Sequence, residues 1–390
     1  MSATTLEPQP NQAPPALRRL GLFADLSSPR EVFSHFGPNW FAAVMGTGIV
    51  ANAAMLLPVH ALALRYLALC FWLAATALLA LFLLLTLLHW LHHPHVAKGD
   101  ALDPHAAQFY GAPPMAFLTV GAGALLVGRY LLGLPLAVSF AWVLWTIGTL
   151  TGLLSVFIVP YLMFTTHQID LEATLGSWIV PIVPPMVSAA TGAPLVAHLP
   201  AGADRTAFLL ALLAMFGISL FIALIVFSLL WARLVYRGVG GAATVPTIWI
   251  GLGPLGQSIT AANLIGATAQ EAIAAPYAQG LKMMELLYGV PVFGFAMVWL
   301  AIALAVTLRA ARRHLPFTLT FWSFTFPVGT CVTGASELAL HTHLVEFKVV
   351  ALALFALLLV GWSLAARGTA AGAWRGWLFL PPQRQRPTAA

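Results

Sequence analysis

Charge is what this chain has least of. Asp, Glu, Lys and Arg make up 8% of its 390 residues, against roughly 25% in a soluble domain. So few charges cannot clothe a water-facing surface. Cysteine is nearly absent. Cys70 and Cys331 are far apart and both lie in apolar runs, which excludes a disulfide framework. No HExxH, no GxSxG and no intramembrane aspartate pair occurs, so the chain is read as a non-enzyme. No Lys-Ser/Thr follows the glycines of Gly251–Ser258, which excludes a phosphate loop. The net charge of +6 comes with no nucleic-acid motif; it reads as Lys and Arg flanking membrane spans, with no nucleic-acid partner. The residues before Phe36 are polar and Pro-rich with no apolar core before a cleavage site, so no signal peptide is expected there.

What the chain has instead is apolar length: 60% of it is hydrophobic. The runs predict an all-α integral membrane protein with ten transmembrane helices, over 38–57, 62–88, 113–132, 136–160, 177–198, 207–232, 246–268, 281–306, 317–340 and 344–366. Each can cross about 30 Å of hydrocarbon at 1.5 Å per residue. The expected organisation is a disordered cytoplasmic arm over 1–35, one membrane domain over 36–368 and a cytoplasmic tail over 369–390. Placing both termini inside puts 13 Lys and Arg on the cytoplasmic side and 5 outside, of 18 in all. That bias favours this orientation in an inner (plasma) membrane.

The spans alternate in kind. The odd ones carry Pro and Gly: Pro38, Gly46 and Gly48 in the first, Pro113 and Pro114 in the third, Pro184 and Pro185 in the fifth, Gly253 and Pro254 in the seventh, Pro327 in the ninth. The even ones are mostly plain Leu, Ala, Val and Phe, the eighth excepted, with Gly289, Pro291 and Gly294. A broken helix frees backbone polar groups that hydrocarbon cannot satisfy. The odd set should therefore line something wet and the even set should face lipid. This predicts five tandem helical hairpins around a central pore, odd helices inside and even helices outside. Ordinary helix packing also enriches Gly and Pro in spans; it accounts for one span more easily than for the five-fold pattern.

The interior candidates are neutral. Asn39, Thr47, Gln257, Ser258 and Thr330 offer side-chain donors. Breaks near Gly46, Pro113, Pro184 and Pro254 would add backbone N–H groups and positive half-helix ends. A passage rich in donors and poor in acids suits an anionic small molecule that must leave again. Glu337 is late in the ninth span, either at an outer mouth or as a satisfied structural carboxylate. Lys282 and Glu285 could pair on one helix face. Phe317, Phe321, Phe324 and Phe326 form an aromatic stripe. The histidines of loop 89–105 match no trusted metal spacing, so neither metal nor cofactor is expected.

Four segments carry a resemblance: FGPNWFAAVMGTGIVAN (Phe36–Asn52), QFYGAPPMAF (Gln108–Phe117), GLGPLGQS (Gly251–Ser258) and FWSFTFPVGT (Phe321–Thr330). They are similar to the tellurite-resistance/dicarboxylate transporter family, which includes fungal malate carriers, sulfite efflux pumps and plant slow anion channels. The resemblance implies a homotrimer in the lipid bilayer with one pore per subunit, moving malate, sulfite, chloride or nitrate. It also implies that the Phe directly before the Pro of the ninth span occludes the pore. That residue is Phe326, with Phe324 as the neighbouring alternative. A proton-coupled carrier of a C4-dicarboxylate or sulfite stands beside a passive channel.

Overall fold

The computed structural model describes residues 21–313 and 315–381. Among these residues it is all-helical, with no strand. The α-helices are α1 (Phe41–Leu56), α2 (Leu62–His92), α3 (Pro94–Leu102), α4 (Ala112–Gly123), α5 (Arg129–Leu132), α6 (Leu134–Thr165), α7 (Pro184–Gly192), α8 (Ala203–Arg237), α9 (Leu252–Ala269), α10 (Tyr277–Leu287), α11 (Gly289–Ala311), α12 (Phe326–Thr342) and α13 (Val345–Arg375). Among the described residues, seven helical stretches are long and apolar enough to cross a membrane, as befits an integral membrane protein.

Two constructions alternate along the chain. α2, α6, α8, α11 and α13 are long and nearly continuous. α1, α4, α7, α9 and α12 are shorter, and each follows a 3-10 stretch: Pro38–Trp40, Ala107–Gly111, Gly176–Ile179, Ala242–Gly251 and Leu319–Phe324. Proline explains most of these switches. It lies in the first turn of α4, α7 and α12, where its missing N–H costs nothing and its fixed φ suits the helix that follows. The break in the first segment lies at Trp40–Phe41, not at Gly46 as expected. α1 runs unbroken through Gly46 and Gly48, because a helical glycine costs about 1 kcal/mol but keeps its hydrogen bond.

The short helices touch in cyclic order. α1 packs on α4, α4 on α7, α7 on α9, α9 on α12, and α12 back on α1. Each long helix bridges two of them: α2 leans on α1 and α4, α6 on α4 and α7, α8 on α7 and α9, α11 on α9 and α12, α13 on α12 and α1. Burial follows the same division. The apolar windows of Pro38–Leu56 and Ala107–Leu132 are 78% and 61% buried, whereas those containing α2, α6, α8, α11 and α13 are 28%, 33%, 39%, 22% and 33% buried.

Indole N–H groups stitch the layers together. Trp72 of α2 donates to the Val120 carbonyl (3.0 Å), Trp145 of α6 to the Ser188 carbonyl (2.9 Å), Trp299 of α11 to the Ile248 carbonyl (2.9 Å) and Trp362 of α13 to Thr47 Oγ1 (3.1 Å). In α8, Ser219 does this work, donating to the Ile182 carbonyl at 2.6 Å and accepting from the Met186 N–H at 3.0 Å. Breaks free backbone groups, and the neighbouring helix satisfies them.

The ends of the chain differ from expectation. Residues 21–35, assigned above to a disordered arm, carry the 3-10 turn Pro29–Phe33, and α13 continues to Arg375 before a further turn at Trp377–Phe379. The two stretches hold each other. The Phe23 N–H donates to the Trp374 carbonyl (2.8 Å), Arg375 pairs with Asp25 (3.6 Å), and Phe379 stacks on Trp40 with centroids 5.0 Å apart. Residues 1–20 and 382–390 lie outside the described residues.

Candidate functional site

Two cavities lie between the five short segments. The first sits at the 3-10/α junctions. Ala42, Ala112, Val183, Gly253 and Pro327 line it, each within one residue of the start of α1, α4, α7, α9 or α12. Five helix starts therefore converge on one small space. Because the helices run on from 3-10 turns, their leading N–H groups are already engaged: that of Phe41 at the Pro38 and Asn39 carbonyls, Ala112 at Phe109, Met186 at Val183 and Ser219, and Leu252 at Trp249 and Ile250. What the five starts share is the positive sense of their helix dipoles. The cavity offers about 30 Å³ to the centre of a water-sized sphere, room for about one or two waters.

The second cavity lies further along the same helices, with about 90 Å³ of such space. Each inner segment lends it at least one polar or aromatic side chain: Asn52 from α1, Thr119 from α4, Thr191 from α7, Gln257 and Thr260 from α9, Phe326 and Thr333 from α12. No charged side chain lines either cavity. Phe326 is the residue common to both linings. It is the first residue of α12, its ring is 2% exposed, and it stands between the two spaces.

Gly253 and Gln257 thus line the cavities along with Phe326, and a Cβ at Gly253 would meet nothing within 4 Å. The other candidates lie elsewhere. Phe324 packs edge-on against Trp249 (5.1 Å) and Phe321 (5.2 Å); the aromatic stripe is a packed cluster from which Phe326 departs. Pro113 and Pro114 line a lateral groove between α2 and α6. Pro254 and Ser258 line another between α8 and α11, where Ser258 donates to the Leu255 carbonyl at 2.9 Å. Pro184 faces Gly152 of α6, and a Cβ at Gly48 would press on Thr119 and Ala75. A Cβ at Gly46 would collide with the Thr325 hydroxyl and Trp322. Thr47 is spent on Trp362, as described above. Thr330 donates at the α9–α12 seam, to the Pro327 carbonyl at 2.7 Å and toward that of Gly253 at 3.3 Å. Pro185 is buried in α7 and Asn39 sits in the first 3-10 turn; neither is among the cavity-lining residues.

Glu337 is buried on α12 within electrostatic reach of Glu285 and lines neither cavity. Glu285 does not form the expected ion pair with Lys282. Its carboxylate lies 3.6 Å from His341 Nε2, and His341 Nδ1 lies 2.8 Å from Asn263 Oδ1. Tertiary approach of α10 to α12 outcompetes the local pair. In the histidine loop, His89 Nδ1 is 2.8 Å from the Phe33 carbonyl and His93 Nε2 is 3.3 Å from Ser34 Oγ. Nearby, burial raises the Asp100 carboxyl above its ordinary range and lowers the His35 imidazole, as desolvation does to each charged form. Among the described residues no group of three or more His, Cys, Asp or Glu could hold a metal ion.

Thr191, Thr260 and Thr333 escaped the sequence reading. Threonine one turn from another threonine, as at Thr330 and Thr333, was the available signal, but a helix interior gives many threonines a purely local bond.

Comparison with known proteins bears on the same region. The profile of the voltage-dependent anion channel family matches residues 35–370. The sulfite efflux pump of Trichophyton rubrum is 28% identical over 311 residues, covering 78% of this chain and 82% of that protein. The sulfite efflux pump of Arthroderma otae is 27% identical, covering 81% and 85%. An uncharacterized transporter of Methanocaldococcus jannaschii is 27% identical, covering 79% and 85%.

Proposed function

Because the chain belongs to the voltage-dependent anion channel family, we propose that it carries small oxyanions, sulfite foremost, through the axis of its five short segments. In this reading all ten helical segments are transmembrane, the pore is central, and both termini are cytoplasmic in an inner membrane. The homotrimer implied by the resemblance places one such pore in each subunit. The choice of sulfite rests on the relatives named as sulfite efflux pumps. The observation that carries the mechanism is the position of Phe326, whose ring is shared by two cavities that all five segments line. An anion entering the first cavity meets the positive ends of five helix dipoles, which favour negative charge without a fixed cation to trap it. It then has to displace the Phe326 ring to reach the second cavity, where six polar side chains sit among mostly apolar walls. Neutral walls permit exit as readily as entry.

The test is a proteoliposome flux panel of sulfite, malate, succinate, nitrate and chloride, run on the native protein and on Phe326→Ala. Removing the ring is expected to raise flux about tenfold, equivalent to about 1.4 kcal/mol off the barrier. Unchanged or lower flux at equal incorporation would refute the gate.

One observation favours a second reading. The Glu285–His341 pair, buried at the glutamate and half-buried at the histidine, with Glu337 near it, could take up a proton and make the protein a coupled carrier. Reversal potentials with and without a pH gradient separate the two, since they shift with protons only if transport is coupled.

A further inference from the structure

The second cavity has more hydrogen-bond acceptors to offer than donors. Each threonine hydroxyl carries one proton and two lone pairs. Thr119 Oγ1 donates to the Met115 carbonyl at 2.6 Å, and Thr191 Oγ1 to the Val187 carbonyl at 2.8 Å. Thr260 and Thr333 face each other with Oγ1 atoms 2.7 Å apart. Their backbone alternatives are the Gly256 carbonyl at 3.1 Å and the Thr330 carbonyl at 3.0 Å. However that pair is arranged, both of its protons stay inside the protein. All four hydroxyls therefore keep their donors for the chain and have lone pairs left over. Asn52 does not offset this: one amide N–H donates to the Thr119 carbonyl at 3.1 Å, one is left over, and its Oδ1 is buried with no partner. Against these acceptors stands Gln257, 4% exposed, lining the cavity with no side-chain hydrogen bond among the described residues. Its amide supplies two N–H donors.

Chloride or nitrate brings only acceptors, so it can use Gln257 but sets its lone pairs against those of the threonines. An anion that keeps an O–H satisfies both sides of the cavity. A buried acceptor left without a donor is costly, which makes this difference selective.

We propose that the second cavity selects monovalent oxyanions that retain a hydroxyl proton, with Gln257 holding the anionic oxygens and Thr260 and Thr333 accepting from the O–H. This rests on the transport reading above and narrows its substrate class to hydrogensulfite-like species.

The test compares bicarbonate with nitrate, two planar, isoelectronic monoanions of which only bicarbonate carries an O–H. Initial rates into proteoliposomes are measured at a single pH, with hydrogensulfite and chloride alongside and the leak of protein-free vesicles subtracted. The native protein is expected to favour bicarbonate over nitrate and hydrogensulfite over chloride. The double variant Thr260→Val, Thr333→Val is expected to lower the bicarbonate-to-nitrate ratio about tenfold, while Ser at both positions restores it. Because the readout is a ratio within one preparation, poor incorporation cancels. Thr191→Val, on a different wall, should move the ratio the same way by a smaller factor if the double variant does not fold. Nitrate as fast as bicarbonate in the native protein, or a ratio unmoved by the valines, overturns the proposal. Flux of none of the four anions overturns the transport reading itself.

Discussion

The short helices and the long helices solve opposite problems. α2, α6, α8, α11 and α13 bury one stripe and expose the rest; Phe157 and Phe221, for example, are 67% and 68% exposed. Lipid accepts any apolar side chain there, so many sequences would serve. α1, α4, α7, α9 and α12 are enclosed almost all round. They bring polar side chains, helix ends and freed carbonyls into a region without bulk water. Most of these groups find a partner in the tryptophans of the outer layer or the seams between inner helices, with Gln257 and the Asn52 Oδ1 as exceptions. The difference teaches that tolerance to substitution should follow the layer rather than the hydrophobicity of the residue.

The sharpest attack on this contrast is Gly256→Leu. A Cβ at Gly256 would lie 2.7 Å from the Thr330 carbonyl oxygen, on backbone that cannot swing aside. The cost should reach at least about 3 kcal/mol, read as loss of the folded peak in detergent chromatography. Phe326→Ala comes next, with the roughly tenfold gain in flux already described; because the residue is 2% exposed, it should also cost about 3 kcal/mol of stability, read as a lower unfolding temperature in detergent. Trp299→Phe should cost about 1–2 kcal/mol, because the Ile248 carbonyl loses its donor in a dry place; thermal unfolding in detergent measures it. Phe221→Leu, on the exposed surface of α8, should change stability by less than about 0.5 kcal/mol and leave flux unaltered. If Phe221→Leu proved as damaging as Trp299→Phe, the two-layer contrast would fail.

The all-helical membrane class was legible in advance, and among the described residues seven stretches are long and apolar enough to span. Each of the ten windows contains a helical segment, since hydropathy and Pro/Gly content are local properties. Boundaries were less so. α6 runs over Leu134–Thr165 and α13 to Arg375, past their expected ends at 160 and 366: α6 continues through Pro160 into a further apolar turn, and in α13 backbone hydrogen bonding continues after apolarity stops. Of the expected pore residues, Phe326, Gly253 and Gln257 line the cavities, whereas Pro113, Pro114, Pro254 and Ser258 face outward between long helices. Proline marks where a helix starts but not which way the side chain points, since a helix turns about 100° per residue.

Composition and periodicity alone made this a membrane protein of alternating smooth and interrupted helices with almost no fixed charge along them, because those features depend only on the order of residues. The folded chain decided the rest. It chose which of four clustered phenylalanines stands between the cavities, turned Glu285 to His341 rather than Lys282, and consumed the threonine protons that a list of polar residues would count as free. These outcomes depend on which helix faces which, and no local stretch of sequence contains that information.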